Sequence, residues 1–253
     1  MGTALVTGAS AGLGEEFCWQ LASAGHNLVV VARRADRLQS LAHKIEQACR
    51  VRVEVLPADL SVAEDVQQVA ARLRQSHNPV GLLVNNAGFG RGKPFLSGDF
   101  NEERLGLKVM VSAVMELTRA AGEAMVARGR GAILNVSSVA SDTGMGTYSA
   151  HKAWVKAFSE GLAEELRSTG VTVTAVMPGM VNTEFHDRTA VDVSKVSAIS
   201  WITPEAVVSQ ALDAVRRGQV LVTPTLRYKL TTQVVKLAPR WAVRSVTRRI
   251  PHM

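Results

Sequence analysis

The stretch Thr7-Gly8-Ala9-Ser10-Ala11-Gly12-Leu13-Gly14 sets three glycines in a GxxxGxG pattern. An apolar run, Ala4-Leu5-Val6, leads into it, and a helical run from Glu15 to Ala24 follows. A strand, a glycine-rich turn and a helix in that order aim backbone N–H groups and a helix N-terminus at one point, an arrangement suited to a pyrophosphate. Gly8 permits the tight turn, Gly12 lets the backbone approach phosphates, and Gly14 lets helix and strand pack closely. A glycine-rich turn with no ligand fits the same residues, so the pattern needs support from further along the chain.

Apolar runs rich in Val, Leu and Ile recur throughout. Candidate strands are Ala4–Thr7, Leu28–Ala32, Val51–Pro57, Gly81–Asn85, Ala132–Ser137, Val171–Met177 and Val220–Thr223. Helical patterns lie between them, among them Arg37–Cys49, Val62–Gln75 and Asn101–Val126. Near-continuous apolar strands separated by helices predict a parallel sheet covered on both faces. The expected fold is therefore α/β, a doubly wound parallel sheet of the Rossmann kind with about seven strands, in a single domain over 1–253. A chain of 253 residues suffices for one large core and falls short of two ordinary domains.

The net charge of +7 is unevenly placed. From Ala214 to Met253 there are nine Lys or Arg and no Asp or Glu, which leaves −2 for everything before it. The high pI belongs to the tail, and no base-reading or stacking motif accompanies it, so nucleic acid is not an expected partner. Cys18 and Cys49 lack metal-ligand spacing; no metal site is expected, and a reducing cytoplasm is the natural compartment. The first strand begins almost at Met1, so no signal peptide is expected, and no apolar run approaches the roughly 20 residues of a membrane span.

Chemistry-bearing residues gather at expected strand ends. Asn85-Asn86-Ala87-Gly88 closes the fourth strand at the carboxyl edge, where open sheets bind ligands. The fifth strand ends in Ser137-Ser138, and Tyr148-Ser149-Ala150-His151-Lys152 opens a helix running to about Leu166. Tyr and Lys four residues apart share a helix face, so the ammonium is expected to favour phenolate and lower the Tyr148 pKa.

These motifs, followed by Pro178-Gly179-Met180-Val181-Asn182-Thr183, resemble in type and order the short-chain dehydrogenase/reductase family over roughly Gly2 to Phe185. The resemblance implies NAD(P)-dependent hydride transfer between a carbonyl and an alcohol, closest in feel to ketoacyl and carbonyl reductases. It implies Tyr148 as general acid/base, Ser138 as donor to the substrate carbonyl, and Lys152 as the group that binds nicotinamide ribose and tunes Tyr148. By the same resemblance Gly8, Ser10, Ala11, Gly12 and Leu13 form the cofactor turn, and Asp59 and Leu60 hold adenine. Asn86, Ala87 and Gly88 meet ribose and backbone, and Pro178, Gly179, Val181 and Thr183 meet the carboxamide side. The second strand ends in Ala32-Arg33-Arg34, where NAD preference calls for an acid; guanidinium groups there suit the 2′-phosphate of NADP(H), with Ser10 adding a neutral donor.

The family usually carries an Asn in the helix before the serine strand, and Met110 stands at that position. A thioether cannot hold the relay water as an amide does. Either a backbone carbonyl freed by a helix kink holds it, or the chain is a catalytically silent NADP(H)-binding sensor or scaffold. Asn101, next to Glu102-Glu103, reads as a helix cap. Ser138 and Tyr148 are ten residues apart, a trimmed loop that should open the entrance. His151, where relatives have Ser or Thr, is given no catalytic role.

Substrate choice is expected in the 183–205 region, where Phe185, Val191, Val193, Ile199 and Trp201, with Met145 and Met180, point to an apolar pocket for a lipophilic ketone or ketoacyl group; lid packing fits them equally. In the basic tail, 226–253, Leu226, Leu230, Val234, Leu237, Trp241 and Ile250 recur at roughly helical spacing among basic residues. That pattern fits an interfacial membrane segment or a helix packed on the body or a sister subunit. Pro239 should bend or break it. The resemblance implies a homodimer or homotetramer through the helices near Glu102–Ala127 and Tyr148–Leu166.

Overall fold

The computed structural model describes residues 2–90, 94–183 and 201–239, together with 241, 243 and 245. Of the expected substrate region, Phe185, Val191, Val193 and Ile199 lie outside the described residues, as does Ile250.

Strand β1 (Thr3–Thr7), helix α1 (Gly12–Ser23), β2 (Asn27–Ala32), α2 (Ala35–Cys49), β3 (Val53–Pro57) and α3 (Ala63–Arg74) form the first half. The second half runs β4 (Val80–Asn85), α4 (Phe100–Leu107), α5 (Ala113–Ala127), β5 (Gly131–Val136), α6 (Gly146–Glu165) and β6 (Val171–Val176). There follow β7 (Met180–Val181), β8 (Trp201–Ile202), α7 (Pro204–Arg216), β9 (Leu221–Val222) and α8 (Leu226–Leu237). The seven-stranded sheet has the order β3-β2-β1-β4-β5-β6-β9 and every pairing in it is parallel. It is the expected doubly wound sheet in a single domain. Strands β7 and β8 form a separate parallel pair, Met180 opposite Trp201.

The two-residue period of a strand explains the two cores. Ala4 and Val6 of β1, with Leu28 and Val30 of β2, pack on the side of Phe17 and Leu21 of α1 and Leu38 of α2. Leu5, Val29 and Val31 point the other way, onto Val69 of α3 and Leu117 of α5. Burial on both faces is why these strands read as continuous apolar runs rather than alternating ones.

Three local readings are corrected. The strand expected at Val51 begins at Val53. Asp99, not Asn101, caps α4: its carboxylate accepts the Asn101 N–H. The single helix expected over Asn101–Val126 is interrupted by a π-helical turn at Lys108–Ser112, where the Ala113 N–H bonds to Lys108 O instead of the residue four back. One extra residue per turn kinks a helix and is frequent at functional sites. Met110 lies inside that turn.

A buried polar chain fastens the middle of the sheet to its helices. The Asn85 amide of β4 donates to Thr118 Oγ1 of α5 at 3.0 Å and to Asn135 Oδ1 of β5 at 2.9 Å. The Asn135 amide then donates to Ser159 Oγ of α6 at 2.9 Å. All four side chains are buried, so each bond replaces water that cannot reach them. Asn135→Ala takes one hydrogen bond from each of Asn85 and Ser159, which keep Thr118 and Val155 O as partners; we expect a loss of ~1–3 kcal/mol in urea unfolding, since each net hydrogen bond contributes about 0.5–1.5 kcal/mol.

Candidate active site

The carboxyl ends of β1, β4 and β5 open onto one cleft of about 760 Å³. It lies where the sheet order reverses, between β1 and β4, the place a doubly wound sheet leaves a crevice. Gly8 and Gly12, of the turn after β1, adopt left-handed φ of +67° and +57°. Gly14 has no room for a side chain: a Cβ there would stand 2.1 Å from Gly8 O. Ala11 at the N-cap of α1 offers no side-chain acceptor, so the first N–H groups of that helix are not capped by a side chain. This cradle fits the pyrophosphate of a dinucleotide. Arg34 reaches across from the end of β2 and donates to Ser10 Oγ at 3.2 Å, while Arg33 is exposed beside it.

All the expected cofactor positions line this cleft, from Gly8 through Leu13, Arg33 and Arg34 to Asp59, Leu60, Asn86, Ala87, Gly88, Pro178, Gly179, Val181 and Thr183. Several of them also work on the protein itself. Asp59 Oδ1 accepts from Ser61 N–H and Oγ, at 2.9 and 2.8 Å. The Asn86 amide donates to Thr7 O at 2.9 Å, binding the end of β4 to the glycine turn. Thr7, not singled out from the sequence, completes the joint: its Oγ1 accepts from the N–H groups of Asn86 and Ala87 at 3.0 and 3.1 Å. A hydroxyl just before the first glycine was the available signal.

Ser138, Tyr148 and Lys152 share the same cleft. Of the two serines ending β5, Ser137 is committed elsewhere: its hydroxyl donates to Lys152 O at 2.7 Å. Ser138 hydrogen-bonds the Tyr148 phenol and accepts the Ala140 N–H at 3.1 Å. Lys152 donates to Val136 O at 2.7 Å, its Nζ standing 5.7 Å from the centre of the Tyr148 ring.

The expected lowering of the Tyr148 pKa by Lys152 is not found in this site. Burial pushes the phenol up to about 12, and the opposing influence is the Ser138 hydrogen bond. Lys152 is itself desolvated, which brings its ammonium down to about 8. Lys152, whose ammonium is committed to the Val136 carbonyl, is not among the influences on the neutral phenol.

Met110 is 3% exposed and packs with Tyr148 and Ala140. A Cβ on Gly88 would stand 3.3 Å from both Met110 Sδ and Lys152 Nζ. The thioether thus occupies the wall beside the lysine, at the π-helical turn. His151 lies on the far side of Met110, its Nδ1 buried without a hydrogen-bond partner. Burial lowers its pKa, Glu103 opposes that and Lys152 adds to it. Thr147 donates to Glu103 at 2.6 Å and ties the start of α6 to α4.

The substrate end of the cleft is walled by Val139, Ala140, Thr143, Met145 and Met180. Trp201 is half-buried in β8. Sequence reasoning missed Tyr228 of α8, which closes this end from behind. Its hydroxyl accepts the Met180 N–H at 3.1 Å, and its ring fills the space over Gly179, where a Cβ would meet Cζ at 2.2 Å.

The family model described as short chain dehydrogenase matches residues 2–193. The chain belongs to that family. Its members are oxidoreductases that act on carbonyl and alcohol groups. The chain is 36% identical over 186 residues to sulfoacetaldehyde reductase 2 of Chromohalobacter salexigens, covering 72% of this chain and 73% of that protein. It is 30% identical over 249 residues to the very-long-chain 3-oxoacyl-CoA reductase of Mus musculus, covering 94% and 76%. In structure it resembles a short-chain dehydrogenase from Sphingobium yanoikuyae solved in complex with NADPH, with a TM-score of 0.87 at 32% identity over 99% of this chain and 96% of that one.

The ammonium of Lys152 should mark the pH dependence of stability in this short-chain dehydrogenase. Its folded pKa, about 8, lies below the ordinary 10.5, so between those values the unfolded chain holds a proton that the folded one has lost. Stability contributed at this position therefore rises with pH across that window. Thermal unfolding of the cofactor-free protein should show wild type gaining on Lys152→Met from pH 7.5 to 9.5, by the ~2.303RT-per-unit slope of one proton at most. A flat difference would mean that Lys152 is not desolvated.

Proposed function

We propose that this short-chain dehydrogenase is an NADP(H)-dependent reductase of lipophilic ketones or ketoacyl groups. The observation that carries the reading is the meeting of Ser138, Tyr148 and Lys152 in the cleft that the glycine turn opens. When bound, the nicotinamide supplies or accepts the hydride, the chemistry the protein itself lacks. Ser138 donates a hydrogen bond to the substrate carbonyl oxygen and orients it. Tyr148 gives that oxygen its proton as negative charge develops there. A phenol held near pKa 12 is fully protonated at neutral pH, which suits the direction of reduction. Ser138 then steadies the phenolate left behind, and Lys152 holds ribose and returns the site to charge balance.

The 2′-phosphate is assigned to Arg33 and Arg34, with Ser10 as a neutral donor. The Arg34–Ser10 bond, the absence of an acid at the end of β2 and the NADPH held by the Sphingobium relative all favour NADP(H) over NAD(H). The apolar wall of Ala140, Met145 and Met180 favours a lipophilic substrate, and the mouse relative's acyl substrate is of that class. Exposed Leu107 and Met115 on α4 and α5 fit burial in a homodimer or homotetramer. The two cysteines are free thiols, as a reducing cytoplasm would keep them.

Met110 favours one further reading, a silent NADP(H)-binding sensor or scaffold. Against it, the π-helical turn changes the backbone bonding register at that very position, so a carbonyl there can hold the relay water that an Asn side chain would otherwise anchor. The two readings separate on Met110→Asn. If the backbone already holds the water, turnover changes by less than ~tenfold, ~1.4 kcal/mol. A silent protein shows negligible activity and gains more than ~a hundredfold.

Two other variants test the assignment by NADPH oxidation against ketones and acyl thioesters. Tyr148→Phe should lower turnover by ~10²-fold or more, the scale of a positioned acid, with NADPH affinity nearly intact. Arg33→Ala/Arg34→Ala should weaken NADPH binding while leaving NADH binding close to wild type; equal use of both cofactors by wild type overturns the NADP(H) assignment.

A further inference from the structure

Helix α8 has two dissimilar sides. Tyr228 faces the body, clamped on Gly179 and Met180, and the helix packs against the Val139–Asp142 turn that walls the substrate end of the cleft. Beyond the break at Ala238-Pro239, where Ala238 is extended, Val243 is buried again at 7% exposure. Tyr228 thus pins the start of the tail helix to the body.

Its other side is bare. Leu230, Val234 and Leu237 are 69, 66 and 85% exposed, and Trp241 is 69% exposed. Positions i, i+4 and i+7 fall on one face of a helix, so the three aliphatic side chains form a stripe; the exposed indole stands four residues beyond it. Water-facing aliphatic side chains in a row are costly unless something covers them. Arg227 and Lys229 are exposed on the same helix. In sequence the tail has one sign of charge: residues 226–253 hold seven Lys or Arg and no acid.

We propose that α8 and Trp241 form a docking surface for an anionic phospholipid bilayer, lying flat in the headgroup region. The apolar stripe would enter the acyl boundary, the basic residues would meet lipid phosphates, and the indole would sit at the interface. Charge selects this occupant. A second copy of the chain would bring another acid-free basic tail to the contact, whereas an anionic surface attracts each nearby Lys or Arg. Among the described residues no helix is long and apolar enough to cross a membrane, so the contact is peripheral. Because Tyr228 fixes α8 to the Gly179-Met180 wall, docking would set the substrate end of the cleft at the bilayer surface. The inference goes beyond carbonyl reduction and stands or falls separately from it.

The test is co-sedimentation of the full-length protein with vesicles of equal parts phosphatidylcholine and phosphatidylglycerol, and with vesicles of phosphatidylcholine alone. We expect binding to the anionic vesicles at low salt, weakened by added salt, and little to the neutral ones. Leu230→Ser/Val234→Ser/Leu237→Ser should lower that binding at least ~tenfold, with NADPH binding and circular dichroism unchanged, since each aliphatic side chain withdrawn from water favours the bound state. Arg227→Glu/Lys229→Glu should lower it as well. Failure of wild type to bind anionic vesicles, or equal binding to neutral ones, overturns the proposal. So does a triple variant that binds as wild type. If wild type ignores vesicles and the triple variant dissociates in analytical ultracentrifugation, the stripe is a subunit contact instead.

Discussion

The joint between the ends of β1 and β4 supports everything the cleft contains. These neighbouring strands lead away to opposite halves of the sheet, so their carboxyl ends diverge and nothing in the sheet ladder holds their loops together. One hydroxyl does. Thr7 Oγ1 lies 3.3 Å from Val84 O, which it donates to, and accepts from both Asn86 N and Ala87 N. The Asn86 amide answers by donating to Thr7 O. The glycine turn and the Asn86-Ala87-Gly88 loop therefore form one rigid rim, and the left-handed Gly8 and Gly12 keep their positions relative to the far wall. Gly14 fits because α1 passes directly over Gly8 O, a contact any side chain would push apart.

A second clamp sets the reacting side. Lys152 is held at both ends: its ammonium donates to Val136 O, and its own carbonyl accepts from Ser137 Oγ. The first turns of α6 are thereby fixed against the end of β5, which is what brings Tyr148 to Ser138. Paired serines divide the labour by direction. In an extended strand, successive side chains point to opposite faces, so only one of the two can point into the cleft.

The strands, the glycine turn and the main cleft residues are legible in the sequence because each leaves a periodic or compositional trace. Val, Leu and Ile on both faces mark buried strands, and Gly at positive φ marks the turn. Contacts made only in three dimensions left no such trace. Asn85 and Asn135 read as strand-end polar residues, and nothing in either neighbourhood says that they meet each other and then Thr118 and Ser159. The π-helical turn at Met110 is one residue of slippage in a 3.6-residue period, too small to disturb the apolar pattern of Asn101–Val126. Tyr228 was hidden in a tail whose charge dominated its reading. The pKa of Tyr148 was misjudged for a related reason: spacing places a lysine near a phenol but does not say which way its ammonium points or how dry the site is.

Burial acts on Tyr148 and Lys152 in opposite senses, and the two effects combine usefully. Desolvation disfavours the charged form of each, so the phenol keeps its proton and the ammonium holds its proton less firmly. A protonated phenol is the form that can donate. In the proposed reduction, once the phenol has donated, the phenolate brings a negative charge into the same dry cleft, and that charge favours the protonated ammonium that burial had weakened. In that proposed reduction, Lys152 thus stabilises the product of the proton transfer more than its starting state. Stabilisation that appears only as charge develops lowers a barrier, whereas an interaction present throughout would not. Met110 adds an apolar wall against the Tyr148 ring, and in an apolar surrounding opposite charges attract more strongly.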